Sequence, residues 1–251
     1  RNEAPSDDYM KLQWFGHGTL LVAERADDGD YVWVNSNGTL SGTDYTNNLT
    51  FSRIRYQKGA VLSHYAGDTF YMSEYVDAAG TTWTVRDVQP SIDFVNRRLL
   101  IGCRTTDMRH NVIYDLDAVL ALGKETVEIT RTWGGETAAE GVTEKKTETT
   151  SVEVRNLNRL TPLGSFRLPS YLNTGQTHQV YSYSHQGQAV WGDYVYWYEG
   201  QAIQQTGELY DGSVAYVAVF DYTGKLVCQI IIKTNNGDIS CHIVPFPYKL
   251  L

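Results

Sequence analysis

Apolar and polar positions along this 251-residue chain change over in short runs and seldom recur at helical spacing. Leu49–Tyr56 (LTFSRIRY) alternates apolar and polar side chains, as a half-buried strand does. Runs of similar length at Ala60–Tyr65, Phe70–Val76, Thr81–Val85, Asn111–Tyr114, Val127–Thr132, Ser151–Val154 and Ser165–Leu168 predict further strands. Hairpins are predicted at Met10–Val34, turning at Asp27-Asp28-Gly29-Asp30, and at Val88–Cys103, turning at Asn96-Arg97-Arg98. The plainest hairpin joins Ser213–Phe220 to Lys225–Ile232 through Asp221-Tyr222-Thr223-Gly224, and a last strand is expected at Ile239–Val244. One short helix is predicted over Leu116–Leu122, capped by Asp115 and stopped by Gly123. Asn35–Thr46 reads as a loop, and residues 134–150 as an exposed polar hairpin tip or loop.

Two stretches share a pattern. Trp14–Val34 and Tyr181–Glu199 each open on aromatics and pass a polar–Gly pair, His17-Gly18 in one and Gln186-Gly187 in the other. Each then reaches Gly-Asp-Tyr-Val-aromatic, at Gly29–Trp33 and Gly192–Tyr196. A degenerate repeat of strand–turn–strand units, with little helix, predicts an all-β fold, and a β-propeller over a sandwich. About four blade-sized units fit within one domain spanning residues 1–251.

The formal net charge of -8 disfavours nonspecific nucleic-acid binding, which works by neutralising phosphates. No apolar run approaches the roughly 20 residues that span a bilayer as a helix, so no membrane insertion is expected. The first residue is not Met and no apolar leader follows, so a processed or trimmed start is expected. The three cysteines, Cys103, Cys228 and Cys241, make neither a zinc motif nor a disulfide framework. Cys228 and Cys241 stand on consecutive strands, where pairing and plain burial are both open.

Motifs for phosphate loops, helical zinc sites and the serine nucleophile elbow are absent, so neither a cofactor nor a metal is expected. His17 and Gln186 stand at equivalent points of the repeat, where a planar polar group could meet a sugar hydroxyl. The plainer account has them closing contacts between blades. His185, Trp191 and Tyr194 complete the candidate ligand set, since an exposed ring can stack on a sugar face. Aromatics of one strand parity must instead be core. Asp68, Asp87, Asp93 and Asp193 are the candidates for a hydrolytic carboxylate pair, although a turn role explains Asp193 better. Asn37-Gly38-Thr39 and Asn48-Leu49-Thr50 match glycosylation sequons.

Phe15-Gly16-His17-Gly18-Thr19 leading to Tyr31-Val32-Trp33 resembles a blade motif of the TagC-like and helveticin J-like propellers. Ser52–Gly59, Val112–Asp117 and the segment from Gln186-Gly187 to Tyr196 are similar to later strands of that family, which is related to receptor-binding propellers of tailed phages. The resemblance implies a five-bladed propeller, extracellular, at a cell surface or on a virion, that binds a glycan or cell-wall polysaccharide without catalysis. Its acidic balance favours a neutral glycan over an anionic teichoic acid. Two other readings stay open on the same fold: a glycoside hydrolase or lyase, and an assembly module with a protein partner.

Overall fold

The computed structural model describes residues 8–16, 18, 21–41, 44–106, 109–133, 145–168, 184–203, 212–235 and 238–244. In chain order its strands are β1 (Lys11–Gln13), β2 (Leu21–Ala26), β3 (Gly29–Ser36), β4 (Thr39–Ser41), β5 (Asp44–Thr46), β6 (Thr50–Arg55) and β7 (Val61–Ser63). There follow β8 (Asp68–Tyr71), β9 (Glu74–Val76), β10 (Thr82–Thr84), β11 (Asp87–Asp93), β12 (Arg98–Arg104) and β13 (Arg109–Asp115). After helix α1 (Leu116–Leu120) come β14 (Lys124–Trp133), β15 (Lys146–Asn156) and β16 (Gly164–Arg167). The last group is β17 (Ser184–Trp191), β18 (Tyr194–Ile203), β19 (Gly212–Asp221), β20 (Leu226–Asn235) and β21 (Asp238–Val244). The all-β expectation holds.

Three larger sheets carry the architecture. The first runs β14-β15-β8-β6-β3-β2, the second β11-β12-β13-β16, and the third β17-β18-β19-β20-β21. The second sheet is buried on both faces. Leu99, Ile101, Cys103, Val112 and Tyr114 pack with Trp33, Phe51 and Phe70 of the first sheet. Leu100 and Ile113, at the intervening positions, pack with Val190, Val195, Trp197 and Phe220 of the third. Successive side chains of β12 and β13 thus serve two neighbours, which the period of two dictates. The far face of the first sheet is covered as well: Phe15, Val34 and Ile54 lie under Leu12 and Leu62 from the parallel pair β1–β7.

Several sequence expectations change here. About four blade-sized units were expected, whereas the described residues form three larger sheets. Phe70–Val76 divides into β8 and β9, because Asn158 Oδ1 accepts the N–H groups of Ser73 and Glu74 at 3.0 and 3.3 Å and draws the chain out of the sheet. Asn35–Thr46 contains the end of β3 and the small β4–β5 pair. Part of the polar stretch 134–150 is strand: Thr147 and Thr149 of β15 meet the hydroxyls of Thr132 and Thr130 at 2.9 and 2.8 Å. Residues 134–144 lie outside the described set. The helix is shorter than expected, ending at Leu120, but Asp115 caps it by accepting from Ala118 N at 2.9 Å. Its chain then crosses back, and β15 joins β8 in parallel through Arg155 and Asn156.

The repeated Gly-Asp-Tyr-Val segment is also out of structural phase. Gly192-Asp193 is itself the turn between β17 and β18, whereas Gly29-Asp30 already belongs to β3 and Asp27-Asp28 turns the chain. Cys228 is a free thiol. Cys241 lies opposite Ile232, four residues along β20 from Cys228 and so roughly 13 Å away.

Candidate functional site

The candidate ligand residues fall into two groups. His185 and Gln186 open β17, where a bulge between His185 and Gly187 leaves Gln186 exposed. The His185 ring lies 3.9 Å from that of Trp197, and its Nε2 is buried without a hydrogen-bond partner. Burial, then repulsion from Arg109, pulls this imidazole down to about 3, so it stays neutral. The Trp197 indole in turn donates to Glu199 Oε1 at 2.6 Å. Packing and hydrogen bonding thus account for this group's inner members.

Trp191 and Tyr194 face each other across the opposite end of the hairpin. They are 55% and 43% exposed, and Tyr198, on the same face by the strand period, is 40% exposed. Val195 and Trp197, between them in sequence, point instead into the second sheet. Gln186 and Trp191 are five residues apart, about 16 Å along the strand, so they do not share one small ligand. His17 lies outside the described residues. Its neighbours Gly16 and Gly18 line a half-open cavity of about 240 Å³ with Leu12, Trp14, Phe15, Leu21 and Val34.

The four candidate aspartates have other occupations. Asp68 sits between Lys124 and Arg155, 3.4 and 3.7 Å away. Asp87 is buried against Arg104. Asp93 does come near Asp193, by accepting from the turn amide of Gly192 at 2.8 Å, but it also accepts from the N–H groups of Val95 and Asn96. Burial pushes the Asp93 carboxyl up, yet the bonds from Asn96, Gly192 and Val95 outweigh it and hold the group below its usual range. A general acid needs the opposite shift. Both sequon asparagines are buried: Asn37 donates to Thr50 Oγ1 at 3.0 Å, and Asn48 donates to the Asn37 carbonyl at 2.9 Å. Folded, neither side chain is available to a glycosyltransferase.

Sequence reasoning missed one cluster. Trp14, Asn37 and His64 hold left-handed φ values of 59°, 50° and 71°. They are bound to one another's segments: Gly38 N donates to Trp14 O at 2.9 Å, Asn37 N to His64 O at 2.6 Å, and His64 N to Gln13 O at 2.9 Å. The Trp14 ring stacks on His64 at 4.8 Å and tilts against Trp133 at 5.5 Å. Burial, then Arg131, pulls His64 down to about 4. Left-handed backbone at non-glycine residues is costly and persists where its surroundings enforce it, often beside binding sites. Only Asn37-Gly38 carries a sequence signal for such a turn; a tryptophan or histidine at positive φ carries none. Among the described residues no group of three His, Cys, Asp or Glu side chains is placed to hold a metal ion.

No protein-family model, curated protein or solved structure matches this chain.

Proposed function

We propose that this chain is a noncatalytic glycan-binding β-propeller that works outside the cell, at a cell surface or on a virion. Three mainly antiparallel sheets stacked face to face are what adjacent blades would look like, and they support that fold over a two-sheet sandwich. The count of five blades rests on the family resemblance alone. The observation that carries binding is the exposed aromatic row Trp191–Tyr194–Tyr198 on the outer face of the third sheet. Trp191 of β17 stands opposite Tyr194 of β18, and Tyr198 lies two strand periods further along the same face, an arrangement suited to stacking along an extended saccharide. Tyr194 and Tyr198 are about 13 Å apart, so several sugar units would be needed to cover the row, and Gln186 would meet only a chain of that length.

A second reading draws on the same face. Both faces of the first and second sheets are packed, so an outer third-sheet face rich in aromatics also suits a protein partner in an assembly. A glycan-array screen, with mass spectrometry of the retained glycans, separates these readings. Retention of one glycan class at unchanged mass, lost in Trp191→Ala and Tyr194→Ala at unchanged melting temperature, is the expected result. Cleaved products would overturn the noncatalytic reading. Absence of retention, with self-association that the same two substitutions abolish, would favour assembly.

A further inference from the structure

We propose that the cavity walled by Trp14 is a specificity pocket for the acetamido group of an N-acetylated sugar. This proposal rests on the glycan-binding reading and adds a second contact site to it. The cavity, about 240 Å³, is lined mostly by apolar side chains, with the backbones of Gly16 and Gly18 as its polar share. A plain pyranose entering it would set hydroxyls against Leu12, Phe15, Leu21 and Val34, leaving polar groups buried and unpaired. An acetamido group brings a methyl for the apolar wall and an amide for the rim. Gly18, at φ 71°, has nothing within 4 Å of where a Cβ would stand, so a ligand can approach its backbone closely.

Three further features fit a preformed pocket. Leu21 stands at its edge 59% exposed, a large apolar side chain left in water next to an apolar hollow. The Trp14 ring is fixed from behind by the His64 stack and by Trp133. The segment bearing it is anchored by the Gly38–Trp14 hydrogen bond, and the approach at that point is so close that a Cβ on Gly38 would fall 2.6 Å from Gly16 N. A wall immobilised before binding loses little freedom when a ligand arrives, so its strain serves recognition.

The test compares binding of three trisaccharides to the intact chain by isothermal titration: the N-acetylglucosamine trimer, its de-acetylated glucosamine counterpart and the glucose trimer. The wild-type protein is expected to prefer the acetylated trimer by roughly 10-fold, the discrimination a small apolar group earns in a fitted pocket. Leu21→Arg, which plugs the rim from an exposed position, is expected to erase that preference with no change in melting temperature; Leu21→Gln, long but uncharged, is expected to do the same and controls for the arginine charge. Equal affinity of the wild type for all three trimers, with Trp191→Ala still weakening each, would overturn the pocket and leave the glycan reading standing. A preference that survives Leu21→Arg would place acetamido recognition elsewhere. Binding of none of the trimers, together with an empty glycan array, would remove both.

Discussion

The two seams on either side of the second sheet are built from different chemistry. The seam towards the first sheet is mainly apolar and aromatic, with Asn35 as a buried carboxamide bonded across it to the Val88 carbonyl: Trp33, Phe51 and Phe70 stack at centroid distances of 4.9 to 6.3 Å and are fully buried. The seam towards the third sheet begins the same way, at Leu100, Ile113, Val195 and Phe220, and then changes. Across it stand Gln89, Asn111, Gln188 and Gln229, each at most 7% exposed, and each with at least one buried polar atom lacking a partner. An unpaired buried carboxamide costs about 1–3 kcal/mol. The first seam is therefore expected to be the stability centre of the molecule, and the second to contribute less, because its buried carboxamides lie behind the face that carries the aromatic row.

Phe51→Ala tests the apolar side of that contrast and carries the largest expected effect. The ring is fully buried and parallel to Phe70, 4.9 Å away with a 9° interplanar angle, so its removal takes away a stacked partner and leaves a cavity in the packed core. A loss of about 3–5 kcal/mol in urea unfolding is expected. A loss under 1 kcal/mol would mean that this seam is not the centre of stability.

Gly102→Ala tests the polar side. A Cβ there would fall 2.1 Å from Gln188 Nε2, and Gln188 donates across the seam to the Gln89 carbonyl at 3.1 Å. The methyl must expel the carboxamide and break that bond, at a cost of about 1–3 kcal/mol. Combined with Gln188→Ala, which clears the space, Gly102→Ala is expected to cost markedly less than on its own. Simple additivity in this double-mutant cycle would show that the carboxamide does not hold the seam.

Much of this contrast is legible in the residues, and its limits are physical. Leu99-Leu100-Ile101 is a continuous apolar run, as a strand buried on both faces requires, whereas the mixed pattern of LTFSRIRY marks a strand with a polar share. Asp115 as a helix cap and Asp221 at a turn follow from local side-chain geometry and were visible for that reason. The missed features depend on contacts remote in sequence: the Trp14–His64–Trp133 cluster, the division of Phe70–Val76 by Asn158, and the return of β15 to β8. The candidate site was half legible. Repetition drew attention to Trp191 and Tyr194, and strand parity then left them exposed; the same repetition set His17 and Gln186 as equivalents although the two hairpins turn two residues out of phase.

The pH dependence sharpens the comparison with an effect that is smallest at neutral pH and grows on acidification. His110 lies on the first seam's side, T-shaped against Tyr75 and Trp83, and His185 on the second's, against Trp197. Facing His110 are Tyr75, Thr105, Trp83 and Arg167; facing His185 are Trp197 and Arg109. Burial, then a neighbouring arginine, pulls the first imidazole down to about 4 and the second to about 3. In the unfolded chain both titrate near 6.5, so below that pH the unfolded state binds more protons and stability falls with pH. The slope approaches about 1.4 kcal/mol per pH unit per histidine, and the loss continues until each folded value is passed. His185→Phe is therefore expected to flatten the stability profile between pH 6 and about 3, and His110→Phe between pH 6 and about 4. Carboxylates held below their usual range, such as Asp93 and Glu24, act mainly below about pH 5, where their unfolded forms take up protons, so the interval from about 5 to 6 isolates the histidines. An unchanged slope in His185→Phe over that interval would mean that the second seam already admits enough water to solvate a charged imidazole. It would then be an open cleft between sheets, and the contrast with the sealed first seam would be larger than its packing indicates.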